Sequence, residues 1–163
     1  MRRRLAALCF GAVVLAVAVM AQDFVVNVAP LIDPSAFRTF AIRSGRVESA
    51  RPEFDNPLLV KKLSSSIRAA LTSRGLTETS DRPDLVVDYV LTTEDINTIR
   101  SEPPRGPLRL MKVSLVIDLM AGGTAAPVWR GVYRDEQKTG SRLVEKLPEA
   151  ARELAAKFPR RGA

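Results

Sequence analysis

The side chains best suited to chemistry are scarce in this chain. The sequence has no histidine, and its one cysteine, Cys9, lies in an apolar stretch near the amino terminus. Histidine is the commonest general base and the commonest transition-metal ligand. Its absence therefore argues against zinc, copper and haem sites and against Ser-His-Asp or Cys-His catalysis. We expect a protein that is not an enzyme, with no catalytic residue, no bound metal and no cofactor.

Carboxylates remain as candidates for acid and base catalysis or for calcium binding. Two adjacent pairs lack both the spacing of a calcium loop and an identifiable second partner, which favours solvated loop acids. These pairs are Glu94 with Asp95 and Asp135 with Glu136. A hydrolase could instead use Asp88 and Asp118, but only if both carboxylates converge in one cleft. Placement on opposite sides of a sheet would remove that hypothesis.

Three other motifs have a structural interpretation that we favour over a chemical one. The serines at 64–66, with lysines at 61 and 62, fall on the polar side of a predicted helix rather than forming a Ser-Lys nucleophile. Gly122-Gly123 has no following helix and no Walker lysine, so it predicts a hairpin turn rather than a phosphate loop. Aromatic residues on alternating strands are typical of a core rather than a ligand pocket. They are Tyr89, Trp129 and Tyr133.

Two amphipathic helices are predicted to support these residues. Asn56-Pro57 supplies a capping oxygen and a proline for the first turn, and Gly75 supplies a left-handed cap, which predicts a helix between them. A second apolar stripe marks a closing helix that has Pro148 in its first turn. The two stripes are Leu59, Leu63, Ile67, Ala70 and Leu71, then Leu147, Ala151, Leu154 and Phe158.

The predicted strands follow β-branched or alternating apolar segments. They are 39–42, 84–91 and a hairpin that starts at 108, turns at 121–124 and returns over 127–133, after an extended segment at 22–28. The order strand, helix, strand, strand, strand, helix predicts an α+β fold: an antiparallel sheet of about four strands with both helices packed on one face. If 39–42 pairs beside 85–91, the intervening helix forms a right-handed crossover.

The proline-rich, charged segment 92–107 predicts a long irregular loop. Long loops in compact domains often carry function, so 93–107 is the candidate contact loop, with simple flexibility as the alternative. Its charged residues are Glu94, Asp95, Arg100, Glu102 and Arg105.

The amino terminus predicts export. Three arginines precede an apolar run from Leu5 to Met20 that ends at Val19-Met20-Ala21, the pattern of a cleaved secretory signal peptide. We predict a signal peptide at 1–21, a single domain at 22–163 and a periplasmic location. The alternative is a retained inner-membrane anchor, although about 17 apolar residues reach only about 26 Å across a core of about 30 Å. Cys9 lies too near the start of the run to be a lipidation site.

Part of the basicity of the chain belongs to this signal. The formal charge of +7 falls to +4 without the three arginines at 2–4, because 22 Lys and Arg then face 18 Asp and Glu. The remaining charges are interspersed, apart from a basic tail at 157–161. We therefore expect no nucleic-acid partner, and contact with a membrane only if the signal is retained.

Several short motifs resemble the bacterial family known as domain of unknown function 4136. They are Phe37–Phe40, Asn56–Leu59 with Ile67–Leu76, Arg82–Tyr89, Leu115–Leu119 with Val128–Gly131, and Lys157–Pro159. The resemblance implies an exported, often lipid-anchored envelope protein of unassigned activity, for which no functional residues are established. This chain departs from the family pattern in lacking a lipidation cysteine after its signal. Its turn at 121–127 also lacks the acidic and lysine residues expected there.

These observations favour a non-enzymatic envelope module that binds an envelope protein or another envelope component. Binding would use 93–107 and an exposed sheet face or edge. The alternative is a small-ligand or lipid carrier with a cavity between helices and sheet, lined by Leu63, Ile67, Leu115 and Trp129. A carboxylate hydrolase is the third hypothesis.

Overall fold

The computed structural model describes residues 23–30, 32–98, 108–137 and 139–160. Within these residues, six strands form one sheet in the order β1-β6-β5-β4-β2-β3. The strands are β1 (Asp23–Val28), β2 (Thr39–Glu48), β3 (Thr77–Glu78), β4 (Leu85–Thr98), β5 (Leu108–Ala121) and β6 (Pro127–Gln137). The two helices are α1 (Pro57–Ser73) and α2 (Gly140–Ala155).

The α+β class and the two helices agree with the sequence, but the predicted antiparallel sheet of about four strands is wrong. The sheet is mixed: β2 runs parallel to β3 and β4, whereas the β4/β5, β5/β6 and β1/β6 pairs are antiparallel. The parallel pairing arises because α1 carries the chain back before β4 begins. The extra strands are β1, which extends the hairpin, and the two-residue β3.

The central strands are also longer than the sequence pattern indicates. Residues 92–98, predicted as part of an irregular loop, continue β4 and pair with 108–114 of β5. Pairing satisfies the backbone groups of this polar stretch, so its lack of apolar alternation does not end the strand. β2 likewise continues past a bulge between Ile42 and Ser44 to Glu48, beyond the predicted strand 39–42.

The ends of α1 agree with the caps predicted from the sequence, whereas the start of α2 does not. Asn56 Oδ1 accepts a hydrogen bond from the Leu58 N–H at 2.9 Å, and Gly75 has φ 92°, as the predicted caps require. α2 starts at Gly140, so Pro148 lies inside the helix and not in its first turn. Its buried stripe continues on both sides of Pro148, which indicates that apolar burial outweighs the lost backbone hydrogen bond.

Both helices pack on the same face of the sheet, as predicted, and we call this side the covered face. Gly131 leaves room there for the indole of Trp129, since a Cβ at this position would lie 2.3 Å from Trp129 Cη2. The Tyr89 hydroxyl reaches α1, donating to the Val60 carbonyl at 2.9 Å and lying 2.8 Å from Ser64 Oγ. The covered face therefore joins strands and helices through one continuous core.

Candidate binding surface

The side of the sheet opposite the helices, which we call the open face, alternates apolar and charged rows. One row runs across four strands and consists of valines, and it ends at the edge strand β1. Its members are Val90 on β4, Val116 on β5, Val132 on β6 and Val25 on β1. Val132 is only 9% exposed, whereas Val25 is 37% exposed. The row therefore ends in an exposed valine on the edge strand β1, next to a nearly buried valine on β6.

The neighbouring row on the open face is charged. Asp88 on β4 lies directly opposite Asp118 on β5, which lies opposite Arg130 on β6. Arg130 forms a bidentate pair with Asp118, with Nε–Oδ1 at 2.6 Å and Nη2–Oδ2 at 2.8 Å. Arg43 Nη1 lies 3.6 Å from Asp88 Oδ2. The two acids thus share one side of the sheet, and an arginine flanks each of them.

Asp88 and Asp118 lie on the same side of the sheet, so their orientation alone does not remove the carboxylate-hydrolase hypothesis, but the electrostatics of the pair point to a structural role. Hydrogen bonding to Asp118 raises the pKa of Arg130, so the guanidinium stays charged and holds the carboxylate. Neither acid lines the cavities of about 490 and 410 Å³ formed by described residues. The two carboxylates therefore form a cross-strand ion row on a sheet surface, without the shared cleft that catalysis requires.

The edge strand β1 exposes an apolar segment. Val25 and Val28 are 37% and 45% exposed, and Leu58 on α1 is the third large apolar residue in the described part of the chain to be so exposed. The Ala29 N–H donates to the Val128 carbonyl at 3.0 Å and continues the β1/β6 register. Hydrogen bonding alternates along an antiparallel strand. The backbone groups of Phe24, Val26 and Val28 therefore point away from β6, toward the outer edge.

The predicted contact residues are only partly described. Glu94 and Asp95 lie on β4, and Asp95 Oδ1 accepts hydrogen bonds from Arg51 Nη2 at 2.7 Å and Nε at 3.2 Å. This pair ties the segment after β2 to the far end of β4. Arg100, Glu102 and Arg105 lie outside the described residues, so the remainder of the candidate contact loop stays a prediction.

Asp135 corrects the prediction of a solvated loop acid. It lies on the covered-face side of β6 and is 2% exposed. Its carboxylate accepts hydrogen bonds from the Tyr133 hydroxyl at 3.0 Å, the Glu136 N–H at 2.8 Å and Gln137 Nε2 at 3.2 Å. The sequence signal that identifies this buried position is the in-and-out alternation of side chains along β6. Continued past Tyr133, it places residue 135 on the covered face. Burial, followed by the charge of Asp135, raises the pKa of Tyr133 well above its usual range, so the hydroxyl remains a donor.

The predicted carrier cavity is occupied by packed side chains. Leu63, Ile67 and Leu115 are fully buried and Trp129 is 1% exposed, all within the core. The described cavity of about 490 Å³ lies instead at the β5/β6 turn, beside Pro83 and Gly122. Gly122 is required there because a Cβ would lie 2.0 Å from the Pro83 carbonyl oxygen. Gly122-Gly123 therefore forms part of the predicted hairpin turn.

The described residues contain neither a metal-binding cluster nor a membrane-spanning helix. No group of three or more acidic, histidine or cysteine side chains in the described ranges is placed to hold a metal ion. None of the described helices is long and apolar enough to span a bilayer.

The fold and this surface define a small α+β protein with one covered and one open sheet face. The family model described as "Domain of unknown function (DUF4136)" matches residues 25–160, and the chain belongs to this family. No curated protein matches the sequence.

Solved structures share the fold at low sequence identity. A DUF4136 family protein from Bacteroides thetaiotaomicron is 10% identical, with a TM-score of 0.54 over 85% of this chain and 98% of that one. A PDZ domain protein from Parabacteroides distasonis is 17% identical, with a TM-score of 0.56 over 86% of this chain. This chain spans only 37% of that protein. A lipoprotein from Neisseria meningitidis shows a weaker similarity that does not establish a shared fold: it is 14% identical, with a TM-score of 0.41 over 69% of this chain and 94% of that one.

Proposed function

We propose that this protein is an exported, non-enzymatic binding module of the cell envelope, which takes up an extended segment of a partner protein along β1. One observation carries the proposal: β1 is an apolar edge strand whose outward backbone groups have no described strand beside them. An added strand would gain main-chain hydrogen bonds, and its side chains would contact the exposed Val25 and Val28.

The opposite edge of the sheet supports this assignment by contrast. β3 has only two residues, Thr77 and Glu78, and Arg68 Nε pairs with Glu78 Oε2 at 2.6 Å. Short length and charge are the usual devices that keep an edge strand from pairing with another chain. β1 contains six residues, with neither lysine nor proline among them, so the two edges differ in their capacity to accept a strand.

The chemistry of β1 defines the partner as an extended segment with alternating apolar side chains. Asp23 is the only charged residue of β1, and its Oδ2 lies 3.8 Å from Arg134 Nη1 of the same chain. Apolar contact and backbone pairing, rather than charge, would therefore supply most of the affinity.

The periplasmic location is part of the same proposal. It is supported by the arginines and apolar run of residues 2–20 and by the resemblance to exported proteins. A retained inner-membrane anchor is the alternative. Amino-terminal sequencing of the protein recovered from the envelope separates them: a start near Gln22 supports cleavage, and an intact Met1 contradicts it.

Site-specific photocrosslinking in the native envelope tests the binding surface. A photoreactive side chain at Val25 or Val28 should give a discrete adduct with another envelope protein. The matched control is Leu58, which is 65% exposed but lies on α1. Equal adducts from all three positions, or none from β1, would contradict the proposal. A deletion within 99–107 that leaves the adducts unchanged would limit the contact surface to the sheet edge.

A further inference from the structure

We infer that the same edge also joins two copies of this chain, through antiparallel pairing of β1 with β1 of a second copy. This rests on the proposed function because it uses the same backbone groups. It goes further in identifying one partner, and it implies that self-association and partner binding compete. Hydrogen-bond direction, side-chain face and charge along β1 all favour this pairing.

The hydrogen-bond direction leaves three residues of β1 free to pair outward. The Ala29 N–H donates to Val128, and the register pairs Val25 with Val132 and Asn27 with Arg130. Odd-numbered residues of β1 therefore bond to β6, while Phe24, Val26 and Val28 present their N–H and C=O groups at the edge.

Side-chain faces restrict the possible registers. Opposed residues in antiparallel strands lie on the same face of a sheet, so even-numbered residues of β1 must oppose even-numbered residues of the second copy. A two-fold axis at Val26 places Val26 of one copy opposite Val26 of the other. It also places Phe24 of each copy opposite Val28 of the other. All three outward residues of each copy then pair, giving about six hydrogen bonds between the copies. A two-fold axis at Val25 would pair, within β1, only Phe24 of each copy with Val26 of the other. That register gives about four hydrogen bonds between the copies.

The side chains in the Val26-centred register are compatible with themselves, as a two-fold interface requires. On the covered face, Phe24 meets Val28, so the 45%-exposed Val28 gains an aromatic neighbour. On the open face, Val25 meets Asn27. Asp23 opposes the uncharged Ala29 and keeps its own Arg134 nearby, at 3.8 Å. No like charges on β1 oppose each other across the axis.

Proline substitution tests the pairing directly. Val26→Pro removes an N–H that points outward and makes no bond to β6, a position at which an edge strand tolerates proline. Sedimentation equilibrium of the exported, purified chain should show a concentration-dependent dimer. The variant should weaken that dimer by at least about tenfold, because both central hydrogen bonds are lost and the pyrrolidine rings collide. A wild-type chain that stays monomeric at all attainable concentrations would overturn the inference.

A charge pair tests the register even if Val26→Pro does not fold. The double variant Val25→Lys with Asn27→Asp places the introduced lysine of each copy opposite the introduced aspartate of the other. It should dimerise more tightly than Val25→Lys with Asn27→Lys, in which like charges meet. Urea unfolding of each variant at low concentration provides the control for effects on the monomer. Equal dimer affinities in the two variants would overturn the Val26-centred pairing.

The two proposals fail separately. A chain that does not dimerise but gives adducts with another protein from Val25 and Val28 retains the binding function without the self-pairing. A chain that dimerises and gives only adducts with itself retains the self-pairing and contradicts the partner-binding function.

Discussion

The two faces of the sheet are made from the same strands but have different physical properties. On β4, the covered face presents Leu85, Val87 and Leu91, all fully buried. The open face presents Val86, Asp88 and Val90, which are only half-buried. One face can therefore supply most of the folding free energy, which leaves the other free to tolerate charge and to make contacts.

Trp129→Ala should produce the largest effect expected from this contrast. The indole is 1% exposed on the covered face and packs edge-on against Phe158, with ring centroids 6.1 Å apart. Truncation leaves a cavity and should lower the free energy of unfolding by about 3–5 kcal/mol, as measured by urea titration. Leu58→Ala, at a 65% exposed position, is the control and should change it by less than about 0.5 kcal/mol. Similar losses in both variants would contradict the assignment of stability to the covered face.

Gly45→Ala should test how tightly the covered face is packed. A Cβ at Gly45 would lie 1.9 Å from Tyr89 Cζ, so the ring, which is fixed by its bonds to α1, would have to move. We expect a loss of about 1–3 kcal/mol in the free energy of unfolding. In a Tyr89→Leu background the same substitution should cost much less, because the ring is gone. An unchanged cost in that background would show that Tyr89 is not the obstacle.

The covered face was largely predictable from sequence because local periodicity determines it. The stripe of α1 and the odd-numbered apolar residues of β4 identify buried positions without knowledge of the partner strands. Local chemistry likewise predicts a turn at Gly122 and a core position for Tyr89, and the structure confirms both.

The open face was not predictable because strand pairing over long distances determines it. No local pattern shows that Asp88 opposes Asp118, or that β1 lies beside β6. The prediction of a loop at the polar end of β4 is wrong for the same reason, since the strand conformation there depends on pairing with β5. The prediction of a solvated acid at Asp135 is wrong because the apolar alternation that marks a strand ends before this residue.

Substitution of Asp84 should change the stability of the fold by a smaller amount, and the size of that change should depend on pH. Hydrogen bonds from the backbone N–H groups of Arg38, at 2.8 Å, and Thr39, at 3.0 Å, lower the pKa of this carboxyl below its ordinary value of 3.8. The unfolded chain therefore binds a proton at a higher pH than the folded chain. The ionised Asp84 carboxylate therefore stabilises the folded chain fully at a pH above its ordinary pKa. This stabilisation is lost as the pH falls through the lower pKa that the group has in the folded chain.

Asp84→Asn should therefore reduce stability at neutral pH by no more than about 1 kcal/mol, since the group is exposed. The difference from wild type should shrink as the pH falls below about 4. Thermal unfolding across that range measures it. A difference that is constant with pH would show that the variant acts through altered geometry rather than through lost charge.

Substitutions in the cross-strand ion row of Asp88, Asp118 and Arg130 should have the smallest effects on stability. They should also show that the two acids, which look alike in the sequence, contribute differently. Asp118 holds Arg130 in a bidentate pair, whereas Asp88 lies 3.6 Å from Arg43 and directly opposes Asp118. Asp118→Asn should lower the free energy of unfolding by about 0.2–1 kcal/mol, the usual range for a cross-strand pair of opposite charge. Asp88→Asn should be neutral, or stabilising by a few tenths of a kcal/mol, because it relieves the repulsion between opposed carboxylates. Urea titration at low and high salt measures both, and the two values should converge as salt screens the row. A larger loss at Asp88 would mean that its carboxylate, and not that of Asp118, is the stabilising member of the row.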